Sequence, residues 1–550
     1  MRNIFYICII VLLFQNFSLV MAQHSGHSIH TSSFITGLNG RSTEGPSWDE
    51  PDFVDLIHKM SPSWVRYPAG TQANYWDWRT GTFIEGSGKK PKYKFTIEQC
   101  VNGLPENTKL IYVINMARPT PGTGIALDAP AEELMSESTL RKKAQDILDA
   151  LALFKELGHL PEAIEFGNEF YFDNEHASIY ARNHTLYIEH SKILSEIIKE
   201  YYPEIDIILC TTKYGTKGRD EWNSAIIEAL YSDAKFSSRI SGIVQHHYLS
   251  ENYGSQETIH DDKSAETAIA EALTYVREQN NLNNLNLPDH LKLWLTEYGV
   301  SKNNAISTWA SGIRSVLMSM AWFESSNMIE SMLYHHISAD PDVIQKSPTL
   351  TLGPVGIAFG LMMKACKGKN NYQQISFSDS DVYGLRISGD SESGILVVNP
   401  TSKKITGQNL KYLLPDIELC YQNQFYSERP YIMNVNEESG INNMTTQDYR
   451  SYTFYPFSVS WISGLNQESY QGNNNIESPS VIVDRKSEIL KISRLEHVPV
   501  LITIYDMQGN IIHHETIYKN NESIDLSGWN PGVYIMKLLN ENNISVKFKY

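Results

Sequence analysis

Ala163-Ile164-Glu165-Phe166-Gly167-Asn168-Glu169 begins as a short apolar run, ends in a carboxylate, and lies between two stretches of helical period. On its N-terminal side Leu140, Ala144, Ile147, Leu148, Leu151 and Phe154 share one face of a helix expected over 140–157, and Gly158 supplies the stop. On its C-terminal side Leu186, His190, Ile193, Leu194 and Ile197 repeat with the same spacing. A strand held between helices is the unit of a parallel sheet. The alternation runs from residue 34 to about 366 and predicts eight strands: Phe34–Asn39, Trp64–Pro68, Leu110–Asn115, Ala163–Gly167, Ile205–Thr211, Gly242–His247, Leu291–Glu297 and Ser331–His336. Eight such units predict a (β/α)8 TIM barrel of α/β class, with catalytic groups at the C-terminal ends of the strands. An open doubly wound sheet is the alternative, but no Gly-rich phosphate loop follows the first strand.

Outward from the barrel, assigned to 23–368, the grammar changes. After Cys366 short alternating runs such as Gly394-Ile395-Leu396-Val397-Val398-Asn399 and Ser458-Val459-Ser460-Trp461 predict an antiparallel β-sandwich over 369–464. Residues 465–480, with Asn473-Asn474-Asn475, read as a linker, and 481–550 as a small C-terminal β-sandwich. At the other end Arg2, the apolar run Ile4 to Phe14 and Val20-Met21-Ala22 read as a signal peptide over 1–22. That run is too short to span a bilayer, and no later segment reaches 18 uncharged apolar residues, so the mature chain is expected to have no membrane span.

Composition bounds the function. In 550 residues, 41% apolar and 20% charged, there is ample material for a folded core. Acidic residues outnumber basic ones 63 to 46, for a net charge of -17, which argues against nucleic acid as a partner. With Cys8 in the signal, Cys100, Cys210, Cys366 and Cys420 remain; they form no Cys-x-x-Cys pair and read mainly as buried thiols, one disulfide being left open. No cofactor is implied.

Asn-Glu occurs at 168, 174, 436, 521 and 540, so the dipeptide alone carries nothing. Only Glu169 directly follows a buried strand. Leu291-Lys292-Leu293-Trp294-Leu295-Thr296-Glu297-Tyr298-Gly299 likewise ends a strand in a carboxylate. Two carboxylates facing across a barrel mouth are what glycosidic cleavage requires: one protonates the departing oxygen, the other attacks the anomeric carbon or activates water. Repulsion between them helps one hold its proton. The plainer alternative is that each Glu is a surface or ion-paired residue.

Residues 34 to about 336 resemble the clan A glycoside hydrolases, retaining enzymes on this barrel. The resemblance implies Glu169 as acid/base, Asn168 as partner of a sugar 2-hydroxyl and Glu297 as nucleophile. Gly167-Asn168-Glu169 and the sandwich ending Pro456-Phe457-Ser458-Val459-Ser460 are most similar to the arabinofuranosidase-like and heparanase-like branches. Arg66, in Trp64-Val65-Arg66-Tyr67-Pro68, resembles the arginine that supports the nucleophile. His246 and Tyr248 end strand six, where the clan often has a His and a Tyr; Tyr248 is favoured as the donor to the nucleophile. Trp76 and Trp78, in Asn74-Tyr75-Trp76-Asp77-Trp78, are candidates to stack on sugar faces or to pack under their loop, and Tyr298 is a further sugar-binding candidate. A zinc site built from His246, His247 and His335-His336 lacks a completing carboxylate or cysteine.

At the C-terminus, Ile504-Tyr505-Asp506-Met507-Gln508-Gly509, Asp525-Leu526-Ser527, Pro531-Gly532-Val533-Tyr534 and Val546-Lys547-Phe548 resemble the sorting domain of type IX secretion cargo; a carbohydrate-binding module is the alternative. Together the expectation is a secreted or cell-surface retaining glycoside hydrolase, exported through the periplasm, with a carbohydrate substrate and the type IX secretion machinery as partners. A non-catalytic glycan-binding surface protein on the same barrel is the second reading.

Overall fold

The computed structural model describes residues 23–30, 36–40, 45–90, 93–174, 177–213, 219–249, 259–278, 286–300, 308–325, 328–335, 337, 343–345, 349–369, 371–377, 381–389, 392–414, 417–432, 435–441, 452–466, 480–484, 489–493, 500–506, 511–517, 522–530, 533–539 and 544–549. The signal-like run with Cys8, most of the expected linker and His336 lie outside them. The chain divides into two compact units, one up to residue 464 without 390–392, the other comprising 390–392 and 465–550.

In the first unit a closed barrel is built from β1 Thr36–Asn39, β2 Trp64–Tyr67, β3 Lys109–Val113, β4 Ala163–Phe166, β5 Asp206–Cys210, β6 Gly242–Leu249, β7 Lys292–Val300 and β8 Ile329–Tyr334. Each strand pairs in parallel with the next, and β8 closes on β1 through Met332–Thr36, Leu333–Gly37 and Tyr334–Leu38. The helices that follow are α1 Pro51–Met60, α2 Ile97–Gly103, α3 Glu137–Glu156, α4 His184–Tyr201, α5 Asp220–Ser232, α6 Asp262–Glu278, α7 Trp309–Ser325 and α8 Pro354–Cys366. Their ends follow local chemistry. Ser136 caps α3 by accepting from Thr139 N, Gly158 beyond its end has φ +77°, and Asn183 caps α4 by accepting from Leu186 N. On α4 the buried stripe runs through Tyr187, His190, Leu194 and Ile198, with Leu186, Ile193 and Ile197 half-buried at its edges.

Strand alternation sorts the barrel residues into two faces. Inward, Trp64, Ile111, Ala163, Ile208, Val244, Trp294 and Leu333 form a closed apolar layer, with the Trp64 and Trp294 rings edge to face at 5.2 Å. Outward, Val65, Tyr67, Ile164, Phe166, Ile207, Leu209, Ile243 and Leu295 join the helices in the main core. The apolar layer plugs the barrel below its C-terminal end, so the next inward positions, Arg66, Glu165 and His246, form a polar floor.

Within the same unit a seven-stranded antiparallel sheet runs in the order 23–30, 371–376, 383–388, 392–399, 458–466, 417–426, 436–441. Its first strand is thus the segment that precedes β1 in the chain. Leu396, Val398, Val459 and Trp461 merge with the barrel core, whereas Ile395, Val397 and Ile462 form a separate core with Leu410, Leu414 and Phe454. Phe457 in the Pro456-to-Ser460 ending accepts from Trp309 Nε1 of α7 at 2.6 Å through its carbonyl, which ties the sheet to the barrel. The second unit has a three-stranded sheet (480–484, 489–493, 522–525) and a four-stranded one in the order 511–517, 500–505, 533–539, 544–549. Leu490, Ile492, Ile502, Ile504, Ile524, Leu526, Tyr534 and Met536 form its core.

Candidate active site

Arg66 lies two residues beyond Trp64 and so on the same inward face of β2. It is fully buried and pairs on two sides: Nε and Nη2 donate to Glu165 Oε2 and Oε1 at 2.7 and 2.6 Å, and Nη1 donates to Glu297 Oε1 at 2.5 Å. A buried charge is tolerated only when paired in this way. Burial alone would make Arg66 a weaker base, but the charges of Glu165 and Glu297 outweigh it and hold the guanidinium more firmly protonated than usual.

Glu297 reaches the cluster through an irregularity in β7. Trp294 is opposite Val244 of β6 and Glu297 is opposite His246, so β7 uses three residues where β6 uses two; the β8 side agrees, with Leu295 opposite Met332 and Tyr298 opposite Tyr334. This is a β-bulge, and it turns both Trp294 and Glu297 inward. Plain alternation from Trp294 would direct Glu297 outward. Tyr248 donates its hydroxyl to Glu297 Oε2, His246 Nδ1 is 3.7 Å and His335 Nε2 3.9 Å from the same oxygen. Burial pushes the Glu297 pKa up, but the positive fields of His246, His335 and Arg66 and the Tyr248 hydrogen bond prevail, holding it well below the usual carboxylate range.

Glu169 stands just past β4. Gly167 has φ +73°, and a Cβ there would collide with the Phe170 ring; Glu169 itself has φ +55°, a left-handed conformation uncommon for a side-chain-bearing residue. Asn74 clamps this bend from both sides: its Nδ2 donates to Asn168 O at 2.8 Å and its Oδ1 accepts from Asn168 N at 3.2 Å. Arg66 Nη2 also donates to Asn168 Oδ1 at 2.8 Å. Glu169 Oε1 accepts from the Tyr171 hydroxyl at 2.8 Å and lies 2.9 Å from His246 Nδ1, while His246 Nε2 is 3.2 Å from Thr296 Oγ1. One oxygen each of Glu169 and Glu297 and a ring nitrogen of His246 all lie within 4.8 Å of one another.

Three such donors invite comparison with a metal site. Both Glu297 oxygens, however, already accept from Arg66 and Tyr248, and the fixed guanidinium charge at 2.5 Å opposes a second cation. Glu297 is thus held as an ion-paired, hydrogen-bonded carboxylate rather than left open as a metal ligand.

Residues 486–549 match the secretion system C-terminal sorting domain. The C-terminal unit is a sorting domain. It is of the type IX class and directs the chain to export and a secreted or cell-surface location. Among curated proteins none matches by sequence. Among solved structures, a crystal structure of an arabinofuranosidase aligns with TM-score 0.54 at 15% identity, covering 81% of this chain and 98% of that one. The α-L-arabinofuranosidase of Thermotoga maritima in complex with arabinose aligns with TM-score 0.51 at 14% identity, covering 80% and 98%. A family 51 α-L-arabinofuranosidase from Bifidobacterium longum aligns with TM-score 0.50 at 12% identity, covering 80% and 97%. The barrel unit shares the fold of these arabinofuranosidase structures.

In this barrel the structure brings together Arg66, Asn168, Glu169, His246, Tyr248 and Glu297. It does not bring three other candidates to the cluster. Trp76 is buried, its ring against Tyr67 and Phe83 and its Nε1 donating to Tyr67 Oη at 3.2 Å. Trp78 packs on the core with the Arg79 guanidinium 4.3 Å over its ring. Tyr298, next along β7 from Glu297, points outward, sharing a 2.6 Å hydrogen bond with Ser319 of α7 and packing on Tyr334 and Phe359. For all three the cause is the burial that large rings gain by packing behind a strand or loop. His247 also faces outward, against Trp322, and cannot join a cluster with His246. Cys100, Cys210 and Cys366 are buried free thiols.

Glu165, Asn74 and Tyr171 escape sequence reading as site residues, and His335 enters it only as a zinc candidate. Glu165 alone left a signal, a charge inside an otherwise apolar strand that requires a buried partner. The others depend on loop paths that no periodicity records.

Proposed function

We propose that the chain is a retaining glycoside hydrolase that cleaves O-glycosidic bonds of an oligo- or polysaccharide by double displacement, with a signal peptide over 1–22 that starts its export. The observation that carries the proposal is the meeting of Glu169 and Glu297, with carboxylate oxygens within 4.8 Å at the C-terminal ends of β4 and β7. Carboxyl groups about 5–5.5 Å apart suit a covalent glycosyl-enzyme, whereas inversion needs about 6.5–9.5 Å to admit a water.

In the first step the Glu297 carboxylate attacks the anomeric carbon, the bond to the leaving oxygen breaks with its electron pair, and Glu169 delivers its proton to that oxygen. In the second step Glu169, now a carboxylate, takes a proton from water as the water oxygen displaces Glu297. Arg66 and Tyr248 keep Glu297 ionised and aimed, and Asn168, held by Arg66 and Asn74, is placed to meet the sugar 2-hydroxyl.

The test is turnover of a panel of aryl glycosides and polysaccharides by the purified full chain, with aryl arabinofuranosides included first. Wild type releases sugar with retained configuration, Glu297→Gln is inactive, and Glu169→Ala loses poor leaving groups while keeping a first step on activated ones. Absence of turnover on every substrate, or inverted product, overturns the proposal.

A further inference from the structure

We propose that Tyr171 is a positioning residue for the acid/base step: its hydroxyl, together with His246, occupies Oε1 of Glu169 and so assigns the transferred proton to Oε2. This rests on the hydrolase reading above and deepens it.

Glu169 is the more exposed carboxylate of the pair, its side chain 23% accessible against 7% for Glu297, and Arg66 does not reach it. Something else must hold its carboxyl group, whose terminal torsion is broad and nearly two-fold. The chain turns back on itself after Glu169, with Phe172 N donating to Glu169 O at 3.1 Å, and this turn carries Tyr171 to the carboxyl group it follows by two residues. The Tyr171 hydroxyl then donates to Oε1 at 2.8 Å. Its ring is buried and packs on Phe172, 4.9 Å away between centroids, with the Arg219 guanidinium at 5.1 Å. Burial and the Glu169 charge push its pKa well above 10, so it stays a donor throughout the working pH range.

His246 is the second donor to the same oxygen. Its Nδ1 directs a proton at Glu169 Oε1 both as imidazolium and as the neutral tautomer whose Nε2 accepts from Thr296 Oγ1. Thr296 lies in the β7 bulge, so the irregularity that turns Glu297 inward also sets the imidazole that grips Glu169. With Oε1 accepting from two donors, the carboxyl group is left with Oε2 as the atom that releases a proton to the leaving oxygen and recovers one from water. Without Tyr171 the carboxyl group flips more freely and the proton is shared between both oxygens, which weakens acid assistance.

The experiment compares wild type and Tyr171→Phe, in the full chain, on two aryl glycosides of one sugar, a phenyl glycoside that needs protonation and a 2,4-dinitrophenyl glycoside that does not. The substitution keeps the ring and removes only the hydroxyl. The expected result is a loss of about tenfold in kcat/KM on the phenyl substrate, the scale of one hydrogen bond to a charged group, and a change under about twofold on the dinitrophenyl substrate, at unchanged Tm. A ring that served packing alone would give no such split. Equal behaviour of Tyr171→Phe and wild type on both substrates, or equal loss on both, overturns the role of Tyr171 while leaving the hydrolase intact; no turnover by wild type overturns both. Arg219→Ala, which loosens the Tyr171 ring without touching Glu169, is expected to give a weaker loss with the same split, and a uniform loss from it counts against the proposal.

Discussion

Arg66 Nη1 donates to Glu297 Oε1 at 2.5 Å, and the same guanidinium neutralises Glu165, so one buried cation both secures the barrel floor and aims the Glu297 carboxylate. Arg66→Ala would leave two buried carboxylates uncompensated, a change that costs about 3–5 kcal/mol. The expected outcome is a large fall in Tm and loss of turnover. Arg66→Lys restores a charge but not the planar fork, so Tm recovers in part while activity does not. Equal Tm for wild type and Arg66→Ala contradicts the pairing.

Stability should depend on pH in two opposite senses. Glu297 ionises at lower pH in the folded chain than its ordinary 4.5, so its contribution is present above that value and is lost as pH falls through the folded one. His246 is lowered by burial but raised further by Glu297 and Glu169, ending above its ordinary 6.5; its contribution is complete below 6.5 and disappears as pH rises past the folded value. Thermal melts over roughly pH 3 to 9 should show Glu297→Gln flattening the acid side and His246→Asn flattening the alkaline side.

Gly70 passes so close to Glu297 that a Cβ built on it would sit 2.6 Å from its Oε1. Gly70→Ala should therefore push Glu297 off its line of attack. Displacements near 1 Å cost on the order of 100-fold in rate. A loss of that size in kcat, with Tm within a few degrees of wild type, is the expected result of steady-state kinetics beside calorimetry.

Asn74→Leu keeps the volume and removes both hydrogen bonds to the Asn168 backbone. The left-handed bend at Glu169 then loses its clamp, at a cost of roughly 1–3 kcal/mol in stability. With Glu169 as the proposed acid/base, the clamp positions it rather than the sugar, and kcat should fall more than KM rises. A change in KM alone would contradict the clamp.

Exhaustive dialysis against EDTA should leave turnover unchanged. Arg66 and Tyr248 already occupy the oxygens of Glu297, and a proton donor beside an ionised carboxylate supplies the chemistry. Loss of activity that zinc restores would assign the Glu169, His246 and Glu297 donors to a metal instead.

The eight strands, the helices on either side of β4 and the two acidic strand ends were readable because each depends on local periodicity. An apolar run between amphipathic helices can bury itself only as a parallel strand. The sorting domain was readable because its turn residues recur in short runs close together in the chain. Which side chains enter the cleft was another matter. Alternation counted from Trp294 sends Glu297 outward, and the bulge that reverses this is a property of β7 paired with β6 and β8.

The same division explains the aromatic candidates and the residues that went unnoticed. Trp76 and Tyr298 sit beside the motifs, yet their rings gain more by packing behind the barrel than by lining it. Tyr171 reaches Glu169, His335 reaches Glu297, Glu165 pairs with Arg66 and Asn74 holds Asn168 only after β2, β4, β6, β7 and β8 close into one ring. Residue spacing thus specifies which elements form, since hydrogen bonding and burial within a strand or helix are short-range in sequence. Facing, contact and protonation belong to the closed barrel, since they arise between groups far apart in the chain, 231 positions in the case of Arg66 and Glu297.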